Sequence, residues 1–116
     1  MKRNDPTPWG AADIVTRVAD GIWFCSTPSH GGYKLSAERL AQLRQKFPGL
    51  KKTFAGFPWF EEDCDWAYVA LAFPEHFPPD AIPHAQRVYD GWLHPRAADK
   101  PLFAGANCAA NVESLA

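Results

Sequence analysis

Asp20-Gly21 falls between Val15-Thr16-Arg17-Val18-Ala19 and Ile22-Trp23-Phe24-Cys25-Ser26-Thr27, and no other feature restricts the folding of this chain as much. Asp-Gly supplies the positive φ angles that a two-residue hairpin turn demands, and the β-branched and aromatic residues beside it favour extended backbone. Strands are therefore predicted over about 14–19 and 22–27. Ala11 to Ala19 would also tolerate a short helix at its start, and the turn decides against it. On the second strand Ile22, Phe24 and Ser26 face one way and Trp23, Cys25 and Thr27 the other. Both faces are apolar almost to the end, so this strand is expected to be central or covered on both sides.

The hairpin leads into Ser26-Thr27-Pro28-Ser29-His30-Gly31-Gly32-Tyr33. A proline, paired glycines and a lone histidine describe a tight exposed loop with one titratable group. The glycines are expected to supply unusual φ values there. Tyr33-Lys34-Leu35 then alternates in strand fashion and offers a third strand. Ser36 is a good N-cap for a helix carrying Leu40, Leu43 and Phe47, which Pro48-Gly49 terminates. Leu50 to Pro58 is a connection whose path the pattern leaves open.

Further on, Glu61, Glu62 and Asp63 suit the positive end of a helix dipole. Cys64, Ala67, Tyr68, Leu71 and Ala72 follow at helical spacing up to Pro74, predicting the most buried helix. Asp80 caps a third helix with Ile82, Ala85, Val88, Tyr89 and Trp92 as its apolar positions, Pro83 in its first turn and an end near Gly91. A short last helix is expected over 107–115. At the other end Thr7-Pro8-Trp9-Gly10 reads as a capped turn whose tryptophan plugs one end of the core. These pieces predict an α+β domain, a small antiparallel sheet packed with three to four helices, with a loose segment over 1–6 and a single domain over 7–116.

Eleven prolines and eight glycines keep every helix short, while 47% hydrophobic residues and five tryptophans suffice for one core. The net charge of -1 lacks the footprint of a strongly basic nucleic-acid binder, yet it hides a segregation. Lys34, Arg39, Arg44, Lys46, Lys51 and Lys52 crowd the middle against Glu38. Thr53 to Gln86 carries Glu61, Glu62, Asp63, Asp65, Glu75 and Asp80 without a lysine or arginine. The cysteines Cys25, Cys64 and Cys108 are odd in number and unclustered, which argues against a disulfide framework and suits a reducing cytoplasm. No apolar run approaches the roughly 20 residues of a membrane span, and Met1 to Pro8 lacks the apolar stretch of a secretion signal.

For catalysis the raw materials are sparse. His30-Gly31-Gly32 resembles an esterase oxyanion loop, but no Gly-x-Ser-x-Gly elbow accompanies it. Cys25 and His30, with Asp63 or Asp65 to orient them, would furnish a cysteine nucleophile, although a cysteine in an apolar strand ordinarily behaves as a small hydrophobe. His30, His76, His84 and His94 lack the spacings that preorganise a metal site. The expectation is a protein without cofactor or metal, leaning away from enzymatic activity.

Thr7-Pro8-Trp9-Gly10, Gly21-Ile22, Ser26-Thr27-Pro28-Ser29-His30-Gly31-Gly32, Trp59-Phe60-Glu61-Glu62-Asp63-Cys64-Asp65-Trp66 and Phe73-Pro74 together resemble a small uncharacterised domain of bacteriophages, plasmids and integrative elements of proteobacteria. The resemblance spans about Thr7 to Phe77 by its motifs. It implies a genetic setting rather than a reaction, and no catalytic residue is carried over. What it implies about function is a mobile-element cargo protein, in practice an inhibitor of host defence such as CRISPR-Cas, working in the bacterial cytoplasm on a host protein or defence nucleoprotein complex. The residues expected to meet such a partner are Ser29, His30 and Tyr33, with Trp59, Glu61, Glu62, Asp63 and Asp65. The alternatives are nucleic-acid binding through a basic face of Lys34, Arg39, Lys51 and Lys52, with Tyr33 and Trp23 stacking on bases, and a small Cys/His enzyme.

Overall fold

The computed structural model describes residues 1–93, and the helix expected over 107–115 lies outside them. Two antiparallel sheets form. Strands β1 (Pro6–Thr7) and β2 (Gly10–Ala11) make a small ribbon, and β3 (Ile14–Ala19), β4 (Ile22–Ser26), β5 (Gly31–Leu35) and β6 (Trp59–Glu61) make the main sheet in sequential order. Three α-helices, α1 (Ala37–Lys46), α2 (Trp66–Ala72) and α3 (Ala81–Val88), complete an α+β fold.

The Asp20-Gly21 turn forms where its chemistry requires it, with Gly21 at φ 80°. A side chain at Gly21 would also meet Ser36 Oγ at 2.7 Å, so the turn packs against the start of α1. Ser36 caps that helix by accepting from Arg39 N at 3.1 Å, and Arg39 Nε donates back to the Asp20 carbonyl at 2.8 Å. Sheet and helix are thus locked at one corner.

Register assigns the two faces of the sheet. Ile22 opposes Leu35, Phe24 opposes Tyr33, and Tyr33 opposes Phe60. These side chains turn toward the helices, where Ile22, Leu35 and Phe60 join Leu43, Val69, Ala70, Ala85 and Val88 in one buried cluster. The helix α2, buried along Ala67, Tyr68, Val69, Ala70 and Ala72, is the most enclosed, as its spacing predicts.

Several expectations need correction. Residues Glu61 to Asp63 do not open a helix: Trp59-Phe60-Glu61 is the fourth strand, held by Tyr33↔Phe60 pairing, and α2 starts only at Trp66. Competition from the sheet edge for the β-prone Trp59-Phe60 pair overrides the acidic signal. Gly31 and Gly32 keep ordinary φ and serve close packing instead. A Cβ on Gly31 would lie 2.6 Å from the Cys25 carbonyl, and one on Gly32 would strike the Phe60 carbonyl and the Trp9 ring. Trp9 therefore caps the far face of the sheet rather than plugging the helix-side core. The third strand, Gly31–Leu35, is longer than Tyr33-Lys34-Leu35. Of the two described cysteines, Cys25 is free and Cys64 is disulfide-bonded, against the expectation of unpaired thiols.

Candidate functional site

The face of the sheet turned away from the helices carries a row of side chains that register places side by side. Arg17 on β3 opposes Trp23 on β4, Trp23 opposes Lys34 on β5, and Lys34 opposes Trp59 on β6. Cation and indole alternate across all four strands. Lys34 Nζ sits 5.4 Å from the Trp59 ring centroid, and Trp9 closes the row edge-on against Trp59 at 5.8 Å.

This row exists because each strand alternates its side chains, so the partners of helix-facing Ile22, Leu35 and Phe60 must point outward. Trp9 covers the end of the face over Gly32. Trp23 is not so covered: it is partly exposed and lines two grooves. One, of about 460 Å³, runs between Trp23, Val15, Arg17, Lys2, Arg3 and Asp13. The other, of about 470 Å³, runs between Trp23, Lys34, Leu40, Phe57 and Pro58. The strand is central, as expected, lying between β3 and β5, and it is covered on this face only at its Cys25 end. Arg17 is paired at 3.1 Å with Asp20, but both side chains are largely in water, and such a pair stabilises by about 0.2–1 kcal/mol. Its guanidinium can reorient toward an anion at small cost.

The residues predicted to bind a protein partner separate into five places. Ser29 and His30 are exposed in the β4–β5 turn, which Thr27 organises: its hydroxyl accepts from His30 N at 3.1 Å and donates to the His30 carbonyl at 2.8 Å. Glu62 and Asp63 are exposed at the same end of the sheet, where Glu62 N donates to the Gly31 carbonyl at 3.0 Å. Tyr33 is turned the other way, between Phe24 at 5.1 Å and Phe77 at 5.5 Å, and burial pushes its phenol pKa up. Trp59 belongs to the row. Glu61 accepts from Cys64 N, tying down the turn before α2.

Asp65 is fully buried. Its carboxylate accepts from the backbone N–H groups of Phe54, Ala55 and Glu61, each at 3.1 Å, and so anchors the connection before β6. Burial pushes its pKa up to about 6, against the opposing pull of those N–H bonds. A cavity of about 660 Å³ borders Asp65, Thr53 and Phe54, but the carboxylate is already engaged by the backbone and offers no open charge to a ligand.

The basic set also disperses. Lys34 stands on the open face, whereas Arg39 lies over Phe73 at 4.8 Å on the helix side, and Lys51 and Lys52 are exposed in the connection after α1. Tyr33 and Trp23 occupy opposite faces and cannot stack on neighbouring bases together. Cys25 is buried, its thiol directed at the Gly32 carbonyl at 3.6 Å, and burial raises its pKa despite the nearby Lys34 ammonium. His30 stands in the exposed turn beyond it, so the thiolate a nucleophile requires is disfavoured. Among the described residues no three histidine, cysteine or acidic side chains gather as a metal site. Arg17, Lys2 and Arg3 were the residues that sequence reasoning missed, and Trp23 was expected to pair with Tyr33 rather than with these cations. Period-two alternation placed Trp23 beside Cys25, but only strand order could align it with Arg17 and Lys34.

Fold and face together define a small α+β domain with helices on one side of an antiparallel sheet and an aromatic, cationic row on the other. The chain belongs to the family described as Domain of unknown function (DUF7007), which matches residues 2–100. It has no significant match among curated proteins or solved structures.

Proposed function

We propose that this domain binds nucleic acid, without catalysis, through the open face of its main sheet. The observation that carries the reading is the register-aligned row Arg17, Trp23, Lys34 and Trp59. Cations flanking a partly exposed indole match the two chemistries of a nucleic acid, charged phosphates and flat bases. The near-neutral net charge is no obstacle, because affinity of this kind follows local charge on the face. Lys2, Arg3, Arg17 and Lys34 border the two grooves against Asp13.

Four phosphate contacts would give log K a slope against log salt of about −3 for a single strand. Fluorescence anisotropy with a labelled oligonucleotide over a salt series tests this. Arg17→Glu with Lys34→Glu is expected to weaken binding at least tenfold, and Lys51→Glu with Lys52→Glu to leave it within about twofold. The reverse ranking would move the interface to the connection after α1 and refute the face assigned here.

A second reading, an inhibitor encoded by a phage or other mobile element and acting in the host cytoplasm on a defence complex such as CRISPR-Cas, draws support from a different observation. The Glu62 N to Gly31 carbonyl bond brings exposed Ser29 and His30 beside exposed Glu62 and Asp63. That acidic end suits a basic nucleic-acid channel in a partner protein. Retention on purified defence complexes, lost in Glu62→Lys with Asp63→Lys, is the expected result. Unchanged retention in that variant would count against this end as the contact.

A further inference from the structure

From the shape of the same face we infer that its ligand is a single-stranded phosphodiester chain with one unpaired base stacked on Trp23. This inference rests on the nucleic-acid reading and names the form of the ligand. Adjacent strands of a sheet lie about 4.8 Å apart, so Arg17 and Lys34, one strand to each side of Trp23, stand about 10 Å apart. Both are long, flexible side chains that can lean inward from that span to the backbone phosphates on the two sides of a nucleotide whose base lies on the indole. The two grooves, about 460 and 470 Å³, run along both sides of the same ring. They give the neighbouring nucleotides somewhere to go.

A duplex does not fit this face. Its bases are already stacked and its phosphates lie outside, and reading its edges takes a helix or ribbon that projects into a groove. Trp23 is a half-buried ring in the middle of a sheet, flanked by depressions rather than carried on a projection. Only a base free to splay out of its strand can lie against it. Trp59 is a poorer platform, since Lys34 and Trp9 already occupy its ring face and edge. The charges that surround the site are Arg17 with its partner Asp20, Lys34, Lys2, Arg3 and Asp13. Glu61 lies at the end of the face with its carboxylate on Cys64 N. The Cys25 thiol is buried and directed at the Gly32 carbonyl, so it adds no charge to the stacking position.

The test uses the full chain with labelled dT12, rU12 and a twelve-base-pair DNA duplex, followed by anisotropy and by tryptophan emission. Single strands of either sugar are expected to bind at least tenfold tighter than the duplex and to quench emission. Trp23→Ala is expected to lose about tenfold or more for the single strands with an unchanged salt slope, while Trp23→Phe keeps most of the affinity and loses the quench. Thermal melts of both variants separate loss of the platform from loss of the fold, and the phenylalanine variant retains an aromatic ring if alanine unfolds the sheet. Duplex bound as tightly as single strand, with Trp23→Phe losing no quench, would overturn this inference and leave the nucleic-acid reading standing. Binding of none of the three probes would overturn both.

Discussion

Replacing Asp65 with asparagine is expected to change how stability depends on pH, in a direction fixed by burial. The folded protein holds Asp65 fully buried with a pKa pushed from 3.8 to about 6, even though three backbone N–H groups donate to it. Removal from water therefore outweighs the hydrogen bonds. Because the folded carboxyl is the stronger proton binder, the stability tied to its proton is complete below the unfolded pKa and is lost as pH rises through about 6. A shift of about 2 pH units at about 1.4 kcal/mol per unit amounts to about 3 kcal/mol. Asparagine is nearly isosteric and does not titrate, so subtracting its stability from that of the wild type cancels the other titrating groups. Urea denaturation at pH 3, 4, 5, 6 and 7, followed by tryptophan emission, should show the wild-type advantage over Asp65→Asn falling by about 3 kcal/mol across the series. A difference that stays flat, or grows with pH, would mean that the N–H bonds outweigh burial, as they do for carboxylates with strongly depressed pKa values.

Gly32→Ala is expected to cost about 2–3 kcal/mol or to prevent folding, because the new methyl meets the Phe60 carbonyl, Trp9 Cη2 at 2.6 Å and Glu61 Cα at 2.9 Å; chemical denaturation measures it, and a neutral outcome would contradict the packing of Trp9 on the sheet. Ser36→Ala removes the acceptor for Arg39 N and should lower stability by about 1 kcal/mol without altering oligonucleotide binding. Native Cys25 should react with a thiol reagent far more slowly than the same residue in urea, with a pH midpoint above that of an ordinary thiol; fast native labelling at neutral pH would restore it as a candidate nucleophile.

Local chemistry carried much of the architecture. Asp20-Gly21 between β-prone runs, Ser36 before an amphipathic stretch, and the run of apolar residues from Ala67 to Ala72 each settle their own structure, because turn, cap and periodicity act over a few residues. The α+β class, the first hairpin and the enclosed second helix were legible for that reason. Strand β6 was not, since Trp59-Phe60-Glu61 takes its conformation from pairing with Gly32 to Lys34, almost thirty positions earlier. The double glycine misled in a similar way: its local meaning is conformational freedom, while its use here is the space it leaves for Trp9 and for the backbone of Phe60.

The candidate site lies mostly on the tertiary side of that division: Lys34 and Trp23 were legible as nucleic-acid contacts, but not as neighbours in one row. Local pattern alone puts Trp23 and Cys25 on one side of their strand and Lys34 after a turn of glycines. Which cation stands opposite which indole depends on strand order and register, and register is set by burying Ile22, Leu35 and Phe60 against the helices. Burial of one face thus composes the other, aligning Arg17, Trp23, Lys34 and Trp59 from four segments that no short-range pattern connects.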